Sequence, residues 1–204
     1  MLNNHRSLPK KRIRSTRADS FFSVCYTSTL SKCKGKKYIV MTDIFEADVN
    51  NGDHADAILV MLNEYAMDIM GGSKGISAFV QQNLISQLKS RPEALVLLAL
   101  NQLQPVGLAI AFEGFSTFQA KPLLNLHDFA VSSHARGKGI AKAMLEKLEN
   151  IARHRGYCKI TLEVLEGNLR AQKIYKDFGF HSYNLDAAMG RALFLHKELV
   201  EFSS

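Results

Sequence analysis

Arg136-Gly137-Lys138-Gly139-Ile140-Ala141 opens the most regular stretch of this 204-residue chain. From Gly139 onward, Ile140, Met144, Leu148, Ile151 and Ala152 fall on one stripe at helical spacing, with Lys and Glu opposite and Gly156 just beyond the end. The spacing predicts an amphipathic helix. A helix N-terminus offers unpaired N–H groups and a partial positive charge, and glycines let the backbone come close to a ligand, which together suit a phosphate or pyrophosphate. Arg136 and Lys138 add positive charge, although Lys138 reads equally well as pointing into solvent. The competing reading is a plain helix start behind a flexible loop. Two other nucleotide motifs fail: no G-x-x-x-x-G-K-[ST] occurs, and Gly137-x-Gly139-x-x is followed by Lys142 where a dinucleotide fingerprint needs a small residue.

Outward from this turn, residues 124–131 and 159–165 read as the strands on either side of the helix. Strand, glycine turn, helix and returning strand make a crossover unit, expected to be right-handed with the turn at the carboxyl end of its strand, where ligands bind in open sheets. Upstream, residues 44–49 alternate as an opening strand, and Asn50-Asn51-Gly52-Asp53 supplies a turn and an N-cap. Ile58, Leu62, Tyr65, Ala66 and Ile69 then mark a helix stopped by Gly71-Gly72. A second helix is expected over residues 76–88, a strand over 94–100 after Pro92, and another over 107–112. The connection 113–121, with Phe115 and Phe118, is aromatic enough to read as pocket lining. A last helix over 169–177 ends at Gly179, followed by strands near 180–183 and 192–199. The order β-α-α-β-β-β-α-β-α-β-β describes a mixed α/β domain with a central sheet flanked by helices.

Cys25, Cys33 and Cys158 are odd in number and form no C-x-x-C pair, so neither a disulfide framework nor a zinc knuckle is indicated, and a reducing, cytoplasmic setting is expected. The seven histidines lack ligand spacing, so no metal is expected. No apolar run approaches the roughly 20 residues that cross a bilayer, so no membrane partner is expected. The net charge of +7 is concentrated at the start: residues 1–37 carry ten Lys or Arg against Asp19 alone. That segment reads as a basic, disordered extension or an upstream start; a transit peptide or a nucleic-acid tail are weaker alternatives. The expected division is therefore an extension over residues 1–40 and one domain over 41–204, with a homodimer left open.

On these residues the chain resembles the GNAT superfamily of N-acetyltransferases, whose acetyl-CoA signature [QR]-x-x-G-x-[GA] is matched in register by Arg136, Gly139 and Ala141. The resemblance is close over residues 124–180 and rests on element order over 41–123. It includes the second family element, Leu162-Glu-Val-Leu-Glu-Gly-Asn168 with Ala171, Ile174-Tyr175 and Phe178-Gly179-Phe180. Residues 112–118 with Leu126-His127-Asp128-Phe129 also look like the diamine and small-amine branch, which by itself assigns no substrate.

The resemblance implies a GNAT-type mixed sheet and acetyl transfer from acetyl-CoA to a primary amine, small molecule or peptide, by direct attack in a ternary complex. It implies that the backbone of Phe129 and Val131 holds the pantetheine arm and that amides of Arg136, Gly137, Lys138, Gly139, Ile140 and Ala141 hold the pyrophosphate. Asn168 and Ala171 fall at further coenzyme-binding positions, though Asn168 also suits an ordinary N-cap. Tyr175 matches the tyrosine near the sulfur, and a phenol of pKa about 10 can protonate a departing thiolate; as a helix aromatic one turn from Phe178 it also fits a core position. The base is open. His127 and Asp128 are strand neighbours that should point to opposite faces; His127 ranks first because a histidine titrates near 6.5, with Asp128, or Glu113 through water, as rivals. Asp68 and Glu113 are candidates to attract a cationic acceptor. A non-catalytic acyl-CoA-binding module is the alternative function, and nucleic-acid binding rests only on the basic tail.

Overall fold

A computed structural model describes residues 25–33, 36–183, 186, 188, 190 and 192–199, with side chains from Thr42 onward. Strands β1 (Cys25–Cys33) and β2 (Lys36–Glu46) form an antiparallel pair. Helix α1 (Gly52–Met67) follows. Its N-cap Asn51 accepts hydrogen bonds from the N–H groups of Asp53 (2.9 Å) and His54 (3.3 Å), satisfying two of the donors a helix start leaves unpaired. A short 3-10 turn (Ile69–Gly71) leads through Gly72, at φ 102°, toward α2 (Ala78–Lys89), capped by Ser77. Then come β3 (Ala94–Asn101), β4 (Gln104–Ser116), β5 (Lys121–Val131), α3 (Ile140–His154), β6 (Ile160–Leu162) and α4 (Leu169–Asp177).

The six strands lie in sequence order, antiparallel except for the parallel pairing of β5 with β6. Both faces of the sheet are covered. Leu95, Leu97 and Ala99 of β3 pack with Ala109 and Ala111 of β4 against α3 and α4, while Val96, Leu98, Leu108 and Ile110 pack against α1 and α2. This is why β3 reads as an unbroken apolar run rather than an alternating one. Helix α3 buries Ile140, Ala143, Met144, Leu145, Leu148 and Ala152, and each large member of that stripe contributes roughly 1.5–3 kcal/mol. Gly107 stands opposite Ala99 in the sheet, and a Cβ there would lie 2.6 Å from Met144 Sδ and 3.0 Å from Ala99 Cβ; the absent side chain lets α3 sit down on the sheet.

The mixed α/β architecture agrees with the sequence, with four differences. The boundary drawn at residue 41 falls inside β2, and β1 occupies part of the segment read as a disordered extension; residues 1–24 lie outside the described residues. Strand β6 is only three residues long, because the chain leaves the sheet after Leu162. The described residues of 180–183 and 192–199 form no strand. Their apolar members Leu193, Phe194, Leu195 and Leu199 are exposed, and β propensity alone does not order a segment without an edge to pair on. Finally, the aromatic connection 113–121 is the tip of the β4–β5 hairpin. Phe118 is 100% exposed and Phe115 63%, and neither faces the main cavity, because the hairpin tip and the glycine turn lie at opposite ends of β5.

Candidate active site

The site is made by two strands that start together and separate. β5 and β6 pair over Leu124–Ile160, Asn125–Thr161 and Leu126–Leu162, and then diverge. Beyond the fork lies a cavity of about 1190 Å³. Its walls are the C-terminal half of α1, the end of β5, the glycine turn with the start of α3, and the segment from Glu163 into α4.

The free edge of β5 can be assigned from its hydrogen bonds. Ser132 N–H donates to Val106 C=O (3.0 Å), and antiparallel pairing repeats every two residues, so the backbone groups of Ala130 and Asp128 also face β4. Those of Phe129 and Val131 therefore face the fork. Arg136 Nε donating to the Val131 carbonyl from that side (3.0 Å) agrees.

A β-bulge sits just before this edge. Ile110 pairs with Asp128 but Ala111 pairs with Leu126, leaving His127 as the extra residue on β5. The bulge changes which residues face which side: Leu124 and Leu126 pack against α3 and α4 ahead of it, Phe129 and Val131 after it. His127 and Asp128 thus fall together on the α1 side, which corrects the expectation that strand neighbours point to opposite faces. The ring of His127 meets Phe112, a residue of the α1–α2 core, edge to face at 5.8 Å. His127 is exposed and lines the cavity; Asp128 does not line it. Burial pushes the Asp128 carboxyl above the usual carboxylate range, with His127 pulling the other way.

The glycine turn adopts a backbone shape that its glycines allow. Gly137 and Gly139 have φ of 79° and 80°, the left-handed region that favours glycine. Gly139 caps α3 without any side-chain bond, and the helix's hydrogen bonding begins with Ala143 N–H to Gly139 C=O (3.1 Å). The N–H groups of Ile140, Ala141 and Lys142 therefore have no partner within the helix and point out of its start, where Gly139, Ile140 and Ala141 line the cavity. Lys138 is exposed and outside the lining. Arg136 is already engaged: besides Val131 C=O, its Nη2 donates to Asp68 Oδ2 at 2.7 Å.

On the opposite wall, Asn168 caps α4 by accepting from Ala171 N–H (3.1 Å), and both residues line the cavity. Tyr175 is 8% exposed, packed against Phe129 (6.1 Å) and Phe180 (5.7 Å), yet it also lines the cavity. Tyr175 is thus both a core residue and part of the cavity wall. Burial, with a smaller contribution from nearby Tyr65, pushes its pKa up to about 12, so its phenol keeps its proton across the neutral range.

Several residues escaped the sequence reading. Tyr65 lines the cavity, its pKa raised by burial, then by Asp128 and Asp68. Glu64 accepts from Ser132 Oγ (2.7 and 2.9 Å) and from Ser133 N–H (3.0 Å), and Ser132 Oγ also meets His134 Nδ1 at 2.7 Å. The missed signal was electrostatic: two acids, Glu64 and Asp68, stand at the C-terminal end of α1, where the helix dipole favours cations. Such a pair calls for partners elsewhere. Asp68 has Arg136 and Met70 N–H, which hold its carboxyl below the usual range; Glu113 accepts from Tyr157 Oη (2.7 Å). Neither carboxylate is unpaired for an acceptor's charge.

A cavity at a strand fork, fed by a glycine-capped helix start and a free strand edge, has the shape and the unpaired amides that suit a phosphate-bearing ligand extended along the sheet. The model of the acetyltransferase (GNAT) family matches residues 60–180, more than half of the chain, and the chain belongs to that family. The family is one of acetyltransferases, and it implies acetyl-CoA as cosubstrate. Among relatives, the N-acetyltransferase YhfO of Bacillus subtilis (strain 168), itself described as uncharacterized, is 27% identical over 128 residues, which cover 62% of this chain and 83% of that protein. The thialysine N-epsilon-acetyltransferase of Bos taurus is 31% identical over 74 residues, covering 36% of this chain and 43% of that protein. YycN of B. subtilis, 37% identical over 68 residues, is matched over 42% of its length and 33% of this chain, so the chain spans less than half of some relatives. Solved structures share the fold: a probable acetyltransferase superposes with a TM-score of 0.63 at 22% identity over 76% of this chain and 99% of that one. An aminoglycoside acetyltransferase from a soil metagenome does so with 0.61 at 16% identity over 78% and 97%. No helix among the described residues is long and apolar enough to cross a membrane.

Proposed function

We propose that the chain transfers the acetyl group of acetyl-CoA to a primary amine by direct attack, with donor and acceptor bound together. The observation that carries this is convergence: unpaired amides at the start of α3, the outward backbone of Phe129 and Val131, and the Tyr175 phenol all meet one cavity. The donor fits these residues. Its pyrophosphate would take the amides over residues 137–141, its amide-rich arm the β5 edge and the Asn168–Ala171 corner, and it brings an activated thioester to the fork.

Phe129 N–H is placed to hold the thioester oxygen as charge builds there. Tyr175, protonated at neutral pH, gives its proton to the departing sulfur. His127, at the bulge and in the cavity wall, takes the proton of the incoming amine; Asp128, set back from the cavity, supports that charge electrostatically. Cys158, the cysteine whose side chain is described, does not line the cavity, which favours attack by the amine itself over a thioester on the enzyme.

An acetyl-CoA-dependent thiol-release screen over small amines, amino acids and peptides tests this reading. Release that requires an amine, with acetylated product by mass, is the expected result. CoA binding without release on any amine would instead identify an acyl-CoA-binding module.

A further inference from the structure

We propose that Glu64 and Asp68 of α1 are positioning residues of the donor site, which hold residues 131–136 in the shape that presents the following glycine turn to a phosphate. The inference rests on the acetyl-CoA reading above and adds residues that lie outside the family signature. The two acids are four apart and so share a face of α1. Glu64 holds the near end of the loop through Ser132 Oγ and Ser133 N–H, and Asp68 holds the far end through Arg136. The links are mutual: Ser132 is 1% exposed, its one proton goes to Glu64, and it accepts from His134 Nδ1 at 2.7 Å. Arg136 is braced on both sides, by Asp68 and by Val131 C=O.

Two consequences follow for the chemistry. The arginine of the turn is a strut before it is a phosphate ligand, so the phosphate contact falls to backbone amides, whose direction the strut sets. In addition, the two carboxylates nearest the cavity from α1 are occupied by loop contacts, and an acceptor's ammonium would have to displace Arg136 or Ser132 to reach them. Helix α1 thus ties the wall it gives to the cavity to the turn that holds the donor.

The test uses CoA itself, titrated calorimetrically into the full chain, alongside acetyl-CoA kinetics and circular dichroism. Glu64→Ala removes charge-assisted bonds and is expected to weaken CoA roughly tenfold to hundredfold. The rise should appear in KM for acetyl-CoA, with kcat at saturation changed by less than about threefold. Glu64→Gln keeps an acceptor for Ser133 N–H and Ser132 Oγ and should recover most of the affinity. Combining Glu64→Ala with Ser132→Ala should cost little more than Glu64→Ala alone, because both act through one contact. If Glu64→Ala does not fold, Asp68→Asn decides, with a severalfold loss expected. Unchanged CoA affinity in the folded variants, additive losses, or tighter binding by Asp68→Asn, as expected of a carboxylate that merely competes with phosphate, would overturn the assignment. Failure of the acetyl-CoA reading looks different: the unaltered chain would itself bind no CoA, and the inference would fall with it.

Discussion

Gly139 and Gly156 bracket α3 and allow backbone strain to be separated from ligand approach. Gly139, at φ 80°, precedes the helix; Gly156, at φ 73°, follows it; and a Cβ built at either meets nothing within 4 Å. Alanine at each therefore pays the same penalty, about 1–2 kcal/mol for an L residue in left-handed backbone. For a domain of this size that corresponds to a fall of roughly 2–8 °C in Tm. The two sites differ in what should arrive there. Beside Gly139 the unpaired N–H groups of Ile140, Ala141 and Lys142 are the proposed seat of the donor's phosphate, and a Cβ in that space would hold it off by the width of a methyl group. Losing even two amide–phosphate bonds, each worth about 1.5–3 kcal/mol when one partner is charged, gives a loss of at least a hundredfold in affinity. Thermal unfolding and CoA titration of both variants make the assay. Gly139→Ala should lose Tm and CoA binding; Gly156→Ala should lose only Tm. Equal CoA affinities in the two variants would refute phosphate binding at the start of α3.

Tyr175→Phe removes the proposed proton donor and should lower kcat by about 10²–10⁴ while CoA still binds; unchanged turnover over an amine panel would return Tyr175 to a purely structural role. Because its pKa is pushed up to about 12, the alkaline side of the rate profile should show no loss from this group below about pH 10. Asp128 is raised by burial, so its ionisation costs stability as pH rises through the carboxylate range. Asp128→Asn should therefore be the more stable protein at neutral pH, with the gain fading in acid, as read by denaturant unfolding at two pH values. Gly107→Ala drives a methyl toward Met144 and Ala99, an overpacking worth about 1–3 kcal/mol, measurable as a lower midpoint in urea.

The glycine turn and α3 were legible because their information is local: left-handed glycines, a missing side-chain cap and a clean apolar stripe all lie within twenty residues. The same holds for Asn168 and Tyr175, whose helix carries its own cap and terminal glycine. The strands expected over 180–183 and 192–199 show the limit of that logic, since alternation describes a strand's faces but not whether a partner edge exists. With β6 leaving the sheet at Leu162, that edge is short. The Glu64 and Asp68 contacts join residues about 68 positions apart, and no local pattern encodes them except the unfavourable placement of two acids at a helix end.

The bulge at His127 is the instructive case, because Leu123 and Ala130, apolar at the other parity, hide it in the sequence and only the packing reveals it. The residues of β5 packed under α3 and α4 stand at even positions up to Leu126 and at odd positions from Phe129, and a strand can change parity only by inserting one residue. Two polar residues, His127 and Asp128, fill the gap where the switch occurs. Strict alternation would have placed one of them under α3 and made the choice of base a question of face. With the bulge both lie toward α1, and reach decides instead: His127 stands in the cavity wall, while Asp128 does not line it. On that geometry, the proposed acceptor of the amine's proton is His127, the member of the pair that the cavity reaches.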